Sequence, residues 1–337
     1  MVQQIGRLKI LRCLSLLFVI ALGLLTVVTT GCGDGDESSV VSNGSNNGQN
    51  GQTPSLEVLI NQIDTTECPT IKAYVSVTDQ DGIVVEGLTE VEFSVFEDGV
   101  RQLPIEVTWP ATLDLPISVC LALDYSASMS DGDVTAMEEA AVTFVEQMTD
   151  GSDSGEIIKF AGKPGIPLVE VFQAHTKDQQ ALIDAIYEDW TLERTRTALY
   201  DAIYKGIEDT ALQEGRRAVV AITDGREVGS NHTLDDVINL AVDNEVPVFT
   251  IRLGWAEPEE VADLKQIAEL SGGKYFYAPG SSDLEEIYLQ ISEMVVLKQY
   301  IVSYGSALDD GLTHDLEITV EYQGLSGSDS RQFTACP

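Results

Sequence analysis

Two rhythms of apolar residues divide the chain. Between residues 56 and 112 the apolar positions alternate: Ile71, Ala73, Val75 and Val77 share one side of "IKAYVSV", Val91, Phe93 and Val95 one side of "VEFSVFEDG", and Ile105, Val107 and Trp109 one side of "IEVTW". Such alternation marks half-buried strands, and "TDQDG" and "FEDG" supply the Asp and Gly that tight reversals need, so a small β unit is expected here. From 116 to 297 the grammar changes. The apolar run Ile117 to Leu123 precedes "DVTAMEEAAVTFVEQM", whose Val134, Met137, Ala141, Phe144, Val145 and Met148 recur at helical spacing. Strands are then expected at "GEIIKFAG", "PLVEVF", "RRAVVAIT", "VPVFTIRL" and "GKYFYA". Helices are expected at "KDQQALIDAIYED", "TALYDAIYKGIEDTAL", "TLDDVINLAVDNE", "EPEEVADLKQIAELSG" and "SSDLEEIYLQISEMVV". Several of these strands are apolar throughout, as in a mostly parallel sheet covered by helices on both faces. Over 298–337 the alternation returns in "KQYIVSY" and in "DLEITVEY", with Leu316, Ile318, Val320 and Tyr322. Two or three strands are too few to fold alone. They are expected to complete the β unit begun at 56–112, which is β-sandwich-like, with the α/β domain inserted into it or flanked by it.

The two ends change the picture of where the protein works. Residues 1–31 begin with Arg7, Lys9 and Arg12, continue through an apolar stretch from Cys13 to about Val28, and end "TTGC" at Cys32. That is the anatomy of an export signal, and the apolar run is short for a comfortable membrane span. "TTGC" resembles the cleavage box of bacterial lipoproteins, which implies a signal peptide over 1–31 and a lipid on Cys32, with palmitate among its acyl chains. Simple secretion and a retained helix are the alternatives. Gly33 after the cysteine leans toward the outer membrane, periplasmic or surface-exposed. Residues 32–55, rich in Gly, Asn and Ser, read as a disordered tether. With Cys32 lipidated and Cys120 inside an apolar strand, Cys68 and Cys336 are left to pair, and export makes that disulfide chemically reasonable. The net charge of −36 disfavours nucleic acid and anionic lipid surfaces as partners.

Candidate chemistry gathers at three expected strand ends: Asp124, Ser126 and Ser128 in "DYSASM", Thr197 in "RTALYDAI", and Asp224 in "ITDGR". Alternate spacing in the first group lets a turning chain direct successive oxygens toward one point. Carboxylates and hydroxyls without histidine or cysteine suit a hard cation, Mg2+ above all, with Mn2+ or Ca2+ also possible. With only two anionic ligands the cation stays electrophilic and would accept an acidic group from a partner.

Over 116–297 the chain resembles the von Willebrand factor type A domain with its metal-ion-dependent adhesion site, the integrin I-like arrangement. The family motif, Asp-x-Ser-x-Ser with a distant Thr and a distant Asp, is complete as Asp124, Ser126, Ser128, Thr197 and Asp224. The resemblance implies a Rossmann-like sheet, a cation contacted by the serines and threonine and by the aspartates directly or through water, and a partner protein or acidic polymer supplying a carboxylate. The sequence departs from the family at Ala127, where glycine is frequent, and at Arg194 and Arg196, where small residues are common. The β segment before residue 116 also resembles one found ahead of such domains in exported bacterial proteins. Three functions follow from these readings: cation-dependent capture of a partner by an envelope lipoprotein, a scaffold in which the cation only stabilises, and a metal-assisted hydrolase. The last lacks a poised acid or base, since His175, His232 and His314 fall away from the strand ends, and no enzyme is expected.

Overall fold

The computed structural model describes residues 55–109, 115–191 and 195–337. The expected signal peptide, Cys32, residues 32–54 of the expected tether and Arg194 lie outside the described residues. The central sheet has six strands, β6 (Ile117–Asp124), β7 (Ser154–Lys163), β8 (Ile166–Thr176), β9 (Arg216–Thr223), β10 (Val248–Leu253) and β11 (Tyr275–Ala278), in the spatial order β11-β10-β9-β6-β7-β8. All neighbours are parallel except β7 and β8. The continuous apolar run of β6 follows from burial on both faces. Val119, Leu121 and Leu123 pack with Met137 and Phe144 of α1 (Asp131–Gln147), Leu182 and Ile186 of α2 (Gln179–Tyr187) and Tyr288 of α6 (Leu284–Ser292). Cys120 and Ala122 face the other way, onto Ile203 and Ile207 of α3 (Leu199–Thr210), Val237 of α4 (Leu234–Asp243) and Ile267 of α5 (Ala262–Ser271).

Two four-stranded antiparallel sheets form the separate β unit. One has the order β1-β2-β12-β5, built from β1 (Glu57–Asp64), β2 (Thr70–Thr78), β5 (Ile105–Thr108) and β12 (Tyr300–Gly305). The other has the order β14-β13-β3-β4, built from β3 (Phe93–Glu97), β4 (Val100–Arg101), β13 (Thr313–Tyr322) and β14 (Leu325–Thr334). Their inner faces share one core, in which Ile71, Ala73, Val75 and Val77 meet Phe93, Val95, Leu316, Ile318 and Val320. β12 lies between β2 and β5, so strands from both sides of the α/β region pair directly.

Several local expectations are revised. Val91 is 84% exposed, because Thr89 to Glu92 closes a turn and the strand starts only at Phe93. "PLVEVF" is the middle of an 11-residue strand, β8, paired along β7. β14 has almost no apolar signal and is held by a full ladder to β13 across the Gln323-Gly324 turn. Both turn residues have positive φ, the backbone form that matches strand twist in a two-residue hairpin.

The two regions meet through buried polar groups. Asn61 donates to Gly272 O at 3.1 Å and accepts from Ser76 at 2.7 Å and Gln299 at 2.8 Å. The Arg216 guanidinium donates to the carbonyls of Leu115, Val295 and Val296, capping the π-helical turn Glu293–Leu297 through which α6 runs toward β12. Among the described residues no helix is long and apolar enough to cross a membrane.

Candidate functional site

β6 is the point where the sheet reverses direction, since the next strand in sequence lies on one side of it and β9 on the other. In open α/β sheets the crevice outside the carboxyl ends at such a point is where ligands bind. Asp124 ends β6 there, fully buried, and Asp224 follows the last residue of β9, partly exposed. Asp124 Oδ1 accepts the Ser126 amide at 2.7 Å, and its Oδ2 accepts the Thr223 hydroxyl at 2.5 Å. Ser126 and Ser128 hydroxyls lie 3.0 Å apart, and Ser128 donates to Asp224 Oδ1 at 2.6 Å.

Thr197 joins the group across Gly225. A Cβ placed on Gly225 would lie 2.9 Å from Thr197 Oγ1 and 3.2 Å from the Ser128 hydroxyl, so both oxygens face one small space that only a glycine leaves clear. All five sequence-derived residues therefore come together. Asp124, Ser126 and Thr197 form the buried side, and Ser128 and Asp224 the side open to solvent.

The electrostatics fit a cation. Burial pushes the Asp124 carboxyl up to about 7, its hydroxyl and amide donors pull the other way, and repulsion from Asp224 adds to the rise. Burial likewise raises Asp224, against the Ser128 hydrogen bond and the Arg252 guanidinium. Two carboxylates held together with neutral donors are costly to ionise, and a dication would offset that cost. The donor set is hard oxygen throughout. Among the described residues no group of three or more His, Cys, Asp or Glu side chains is arranged to hold a metal ion. This site is of another kind, with two carboxylates and three hydroxyls.

Some participants carried no sequence signal that was used. Thr223, the final residue of an apolar strand, holds Asp124, and Lys159 supports the surrounding loops from inside "GEIIKFAG". Lys159 is fully buried. Its ammonium donates to the carbonyls of Ile186, at 2.8 Å, and Glu188, and it sits 4.6 Å from the centre of the Tyr125 ring and 4.5 Å from that of Phe172. Tyr125 and Phe172 also stack on Trp190, in the segment that leads toward Thr197. The three histidines lie elsewhere. His232 pairs with Asp201 at 2.7 Å and stacks on Tyr204, beside a cavity of about 540 Å³ between β8 and α3; His314 bridges Asp98 and Asp310; buried His175 contacts Thr210 at 3.1 Å.

Sheet order defines a doubly wound α/β domain, and the oxygen cradle is built from loops at its strand ends. Residues 118–290 match the family model for the von Willebrand factor type A domain, and the chain belongs to that family. Its relatives include a UPF0353 protein of Mycolicibacterium paratuberculosis, 29% identical over 206 residues, a match covering 52% of this chain and 60% of that protein. A UPF0353 protein of Nocardia farcinica is 26% identical over 217 residues, covering 53% and 63% respectively. The chain thus spans less than two thirds of these curated relatives. Similar solved structures include the conserved hypothetical protein BatB from Bacteroides thetaiotaomicron, 20% identical with a TM-score of 0.42, covering 53% of this chain and 98% of that one. A von Willebrand factor type A protein from Catenulispora acidiphila is 12% identical with a TM-score of 0.45, covering 84% and 73%.

Proposed function

We propose that this protein is an exported, non-catalytic binding module that captures a protein or acidic polymer through a divalent cation held by Asp124, Ser126, Ser128, Thr197 and Asp224. The observation that carries this reading is the convergence of those oxygens, from three remote segments, on the crevice at the carboxyl ends of β6 and β9. When bound, Mg2+ or Mn2+ would supply a Lewis-acidic centre able to hold a partner carboxylate. The chain's own residues do the rest: Thr223 and the Ser126 amide orient Asp124, and Ser128 holds Asp224 in place. The Cys68–Cys336 disulfide supports an oxidising location, and the "TTGC" box supports lipidation at Cys32 and an envelope position, with the outer membrane preferred.

Calorimetry with Mn2+ and cross-linking of displayed protein in Mg2+ against EDTA test the reading. Cation uptake in the millimolar range or tighter is expected, together with partners lost in EDTA, and Asp124→Ala should weaken both severely. Equal capture by the variant or in EDTA overturns it. Strong thermal stabilisation by Mg2+ without any cation-dependent partner would replace capture with a purely stabilising cation.

A further inference from the structure

β8 ends the central sheet on one side, and among the described residues no strand pairs with its outer edge. The hydrogen bonds of β7 settle which groups of β8 face outward. Phe160 accepts the Tyr125 amide at 2.8 Å, and Gly162 accepts the Thr195 and Arg196 amides, each at 2.8 Å, so both carbonyls point away from β8. Their partners across the antiparallel ladder, Val169 and Pro167, therefore sit in non-hydrogen-bonded pairs and turn their main-chain groups outward, as does Val171 opposite Ile158. The edge thus offers the carbonyls of all three residues and the N–H groups of Val169 and Val171, proline having none. Beyond Val171 the register to β7 shifts, so the regular open ladder is one short stretch.

The same three residues floor a cavity. Side chains of alternate strand residues share a face, and Pro167, Val169 and Val171 line the cavity of about 540 Å³ whose far side is α3. Its wall is the Tyr204 ring with His232 stacked on it, their centroids 3.8 Å apart. The charges around it are already matched. His232 pairs with Asp201 at 2.7 Å, and Lys205 pairs with Glu208 at 3.2 Å and with Asp209 at 2.8 Å. Glu170, the one charged residue in "IPLVEVFQA", leaves the strand on the opposite face with Leu168 and Phe172. An apolar floor between paired charges suits an uncharged side chain.

We propose that β8 is a docking edge for an extended segment of a partner protein, which adds a strand to the six-stranded sheet and places an aromatic or large aliphatic side chain in the cavity beside Tyr204. Two observations meet in this occupant. Unpaired donors and acceptors at strand spacing are matched by another extended main chain, and a cavity floored by every second residue of a strand receives every second side chain of its neighbour. A small apolar ligand fills the cavity and leaves the edge groups unpaired. A second copy of this chain brings one net charge of −36 against another, which opposes self-pairing. None of these groups belongs to the oxygen cradle, and the inference does not depend on a cation there.

The probe is acetyl-Lys-Val-Thr-Phe-Thr-Val-Lys-amide, whose valines and phenylalanine share one face when extended, offered to the full chain in EDTA and in Mg2+. Hydrogen exchange is resolved to single amides. With the peptide at about tenfold its Kd, exchange at Val169 and Val171 should slow about tenfold, while Leu168 and Glu170, already bonded to β7, stay as they were. Glycine in place of the probe's phenylalanine should weaken binding at least about tenfold, the scale of burying one aromatic side chain. N-methylation of the Val and Phe amides in one peptide, and of the Thr amides in another, should abolish binding in one case only, because a strand pairs through one edge at a time. Val169→Pro removes the central donor without touching the ladder to β7, and should lose the peptide while keeping its far-ultraviolet circular dichroism. Unchanged exchange at Val169 and Val171, or equal effects of the two methylated peptides, overturns the inference. So does binding that requires Mg2+, which would put the peptide at the cradle and leave the cation reading standing. Dimerisation in sedimentation that Val169→Pro abolishes would assign the edge to a second copy and overturn the partner.

Discussion

Gly225 separates the cradle from its walls by the volume of one methyl group. The Cβ of an alanine there would meet Thr197 Oγ1 at 2.9 Å and the Ser128 hydroxyl at 3.2 Å, closer than side-chain carbons normally approach either. No positive φ constrains the position, so alanine strains the site and spares the backbone. Gly225→Ala is expected to lower Mn2+ affinity by at least about tenfold, the scale of displaced supporting groups in metal sites, with thermal stability in EDTA close to that of the parent. Unaltered affinity by calorimetry would show that the cation does not use the space between Thr197 and Ser128. The five donors were legible in the sequence because together, in order, they complete the Asp-x-Ser-x-Ser, Thr and Asp pattern of the von Willebrand factor type A domain, whereas Thr197 alone reads as a helix cap and Asp224 as a turn. Gly225, Thr223 and Lys159 were not. A glycine after an aspartate reads equally as a turn, and a lysine in an apolar strand gives no sign of which carbonyls will receive its protons.

Among the elements, α3 shows how closely the second layer approaches the sheet. Gly206 lies so near β6 that an added Cβ would stand 2.8 Å from Cys120 Sγ, and this contact brings the acids of α3 onto β7. Glu156 of β7 is 1% exposed, and burial first, then the nearby Asp209, pushes its carboxyl up to about 8. The folded chain therefore keeps a proton on Glu156 over a range in which the unfolded chain, with an ordinary glutamate, has lost it. Stability must fall as pH rises through that window, at up to about 1.4 kcal/mol per pH unit for one proton. Burial holds neighbouring His175 down at about 4, so below about pH 6.5, where the unfolded chain protonates this histidine and the folded chain does not, it works against the trend; it is common to parent and variant and drops out above that pH. Glu156→Gln removes the proton uptake. Its stability relative to the parent, from urea unfolding in EDTA, should improve steadily between about pH 5.5 and about pH 7.5. The slope is the readout, because the substitution also carries a constant offset, and a flat difference would mean that Glu156 ionises normally. Element order was readable wherever period and length agreed. β14 escaped because its alternation is almost wholly polar, with register supplied by the partner strand, and β8 was drawn short because an edge strand needs an apolar face along only part of its length.

At the scale of the whole molecule, the β unit is assembled from chain segments separated by the entire α/β region, and the Cys68–Cys336 bond joins its two contributions. The bond spans 268 residues, with Cα atoms 5.8 Å apart. In the loop-entropy account, a cross-link of that span restricts the unfolded chain by about 5.6 kcal/mol, at or above the top of the range for a single disulfide. Its removal should therefore be felt globally. The double variant Cys68→Ser with Cys336→Ser is expected to unfold at markedly lower urea, still in one transition. A single transition is expected because Asn61 and Gln62 of β1 tie the β unit to the α/β core through hydrogen bonds to the Gly272 and Gly215 carbonyls. Tryptophan fluorescence and far-ultraviolet circular dichroism, followed together, distinguish the outcomes. Coincident curves displaced by several kcal/mol fit a bond acting on the unfolded chain of one cooperative unit. An early loss of β signal, with Mn2+ uptake persisting, would mean that the junction is weaker than its hydrogen bonds suggest and that the disulfide alone holds the β halves together. Because the proposed cation cradle lies at the carboxyl ends of the sheet and Arg216 at the start of β9, at the opposite ends of the strands, Mn2+ affinity is expected to be nearly unchanged in the reduced protein wherever it remains folded.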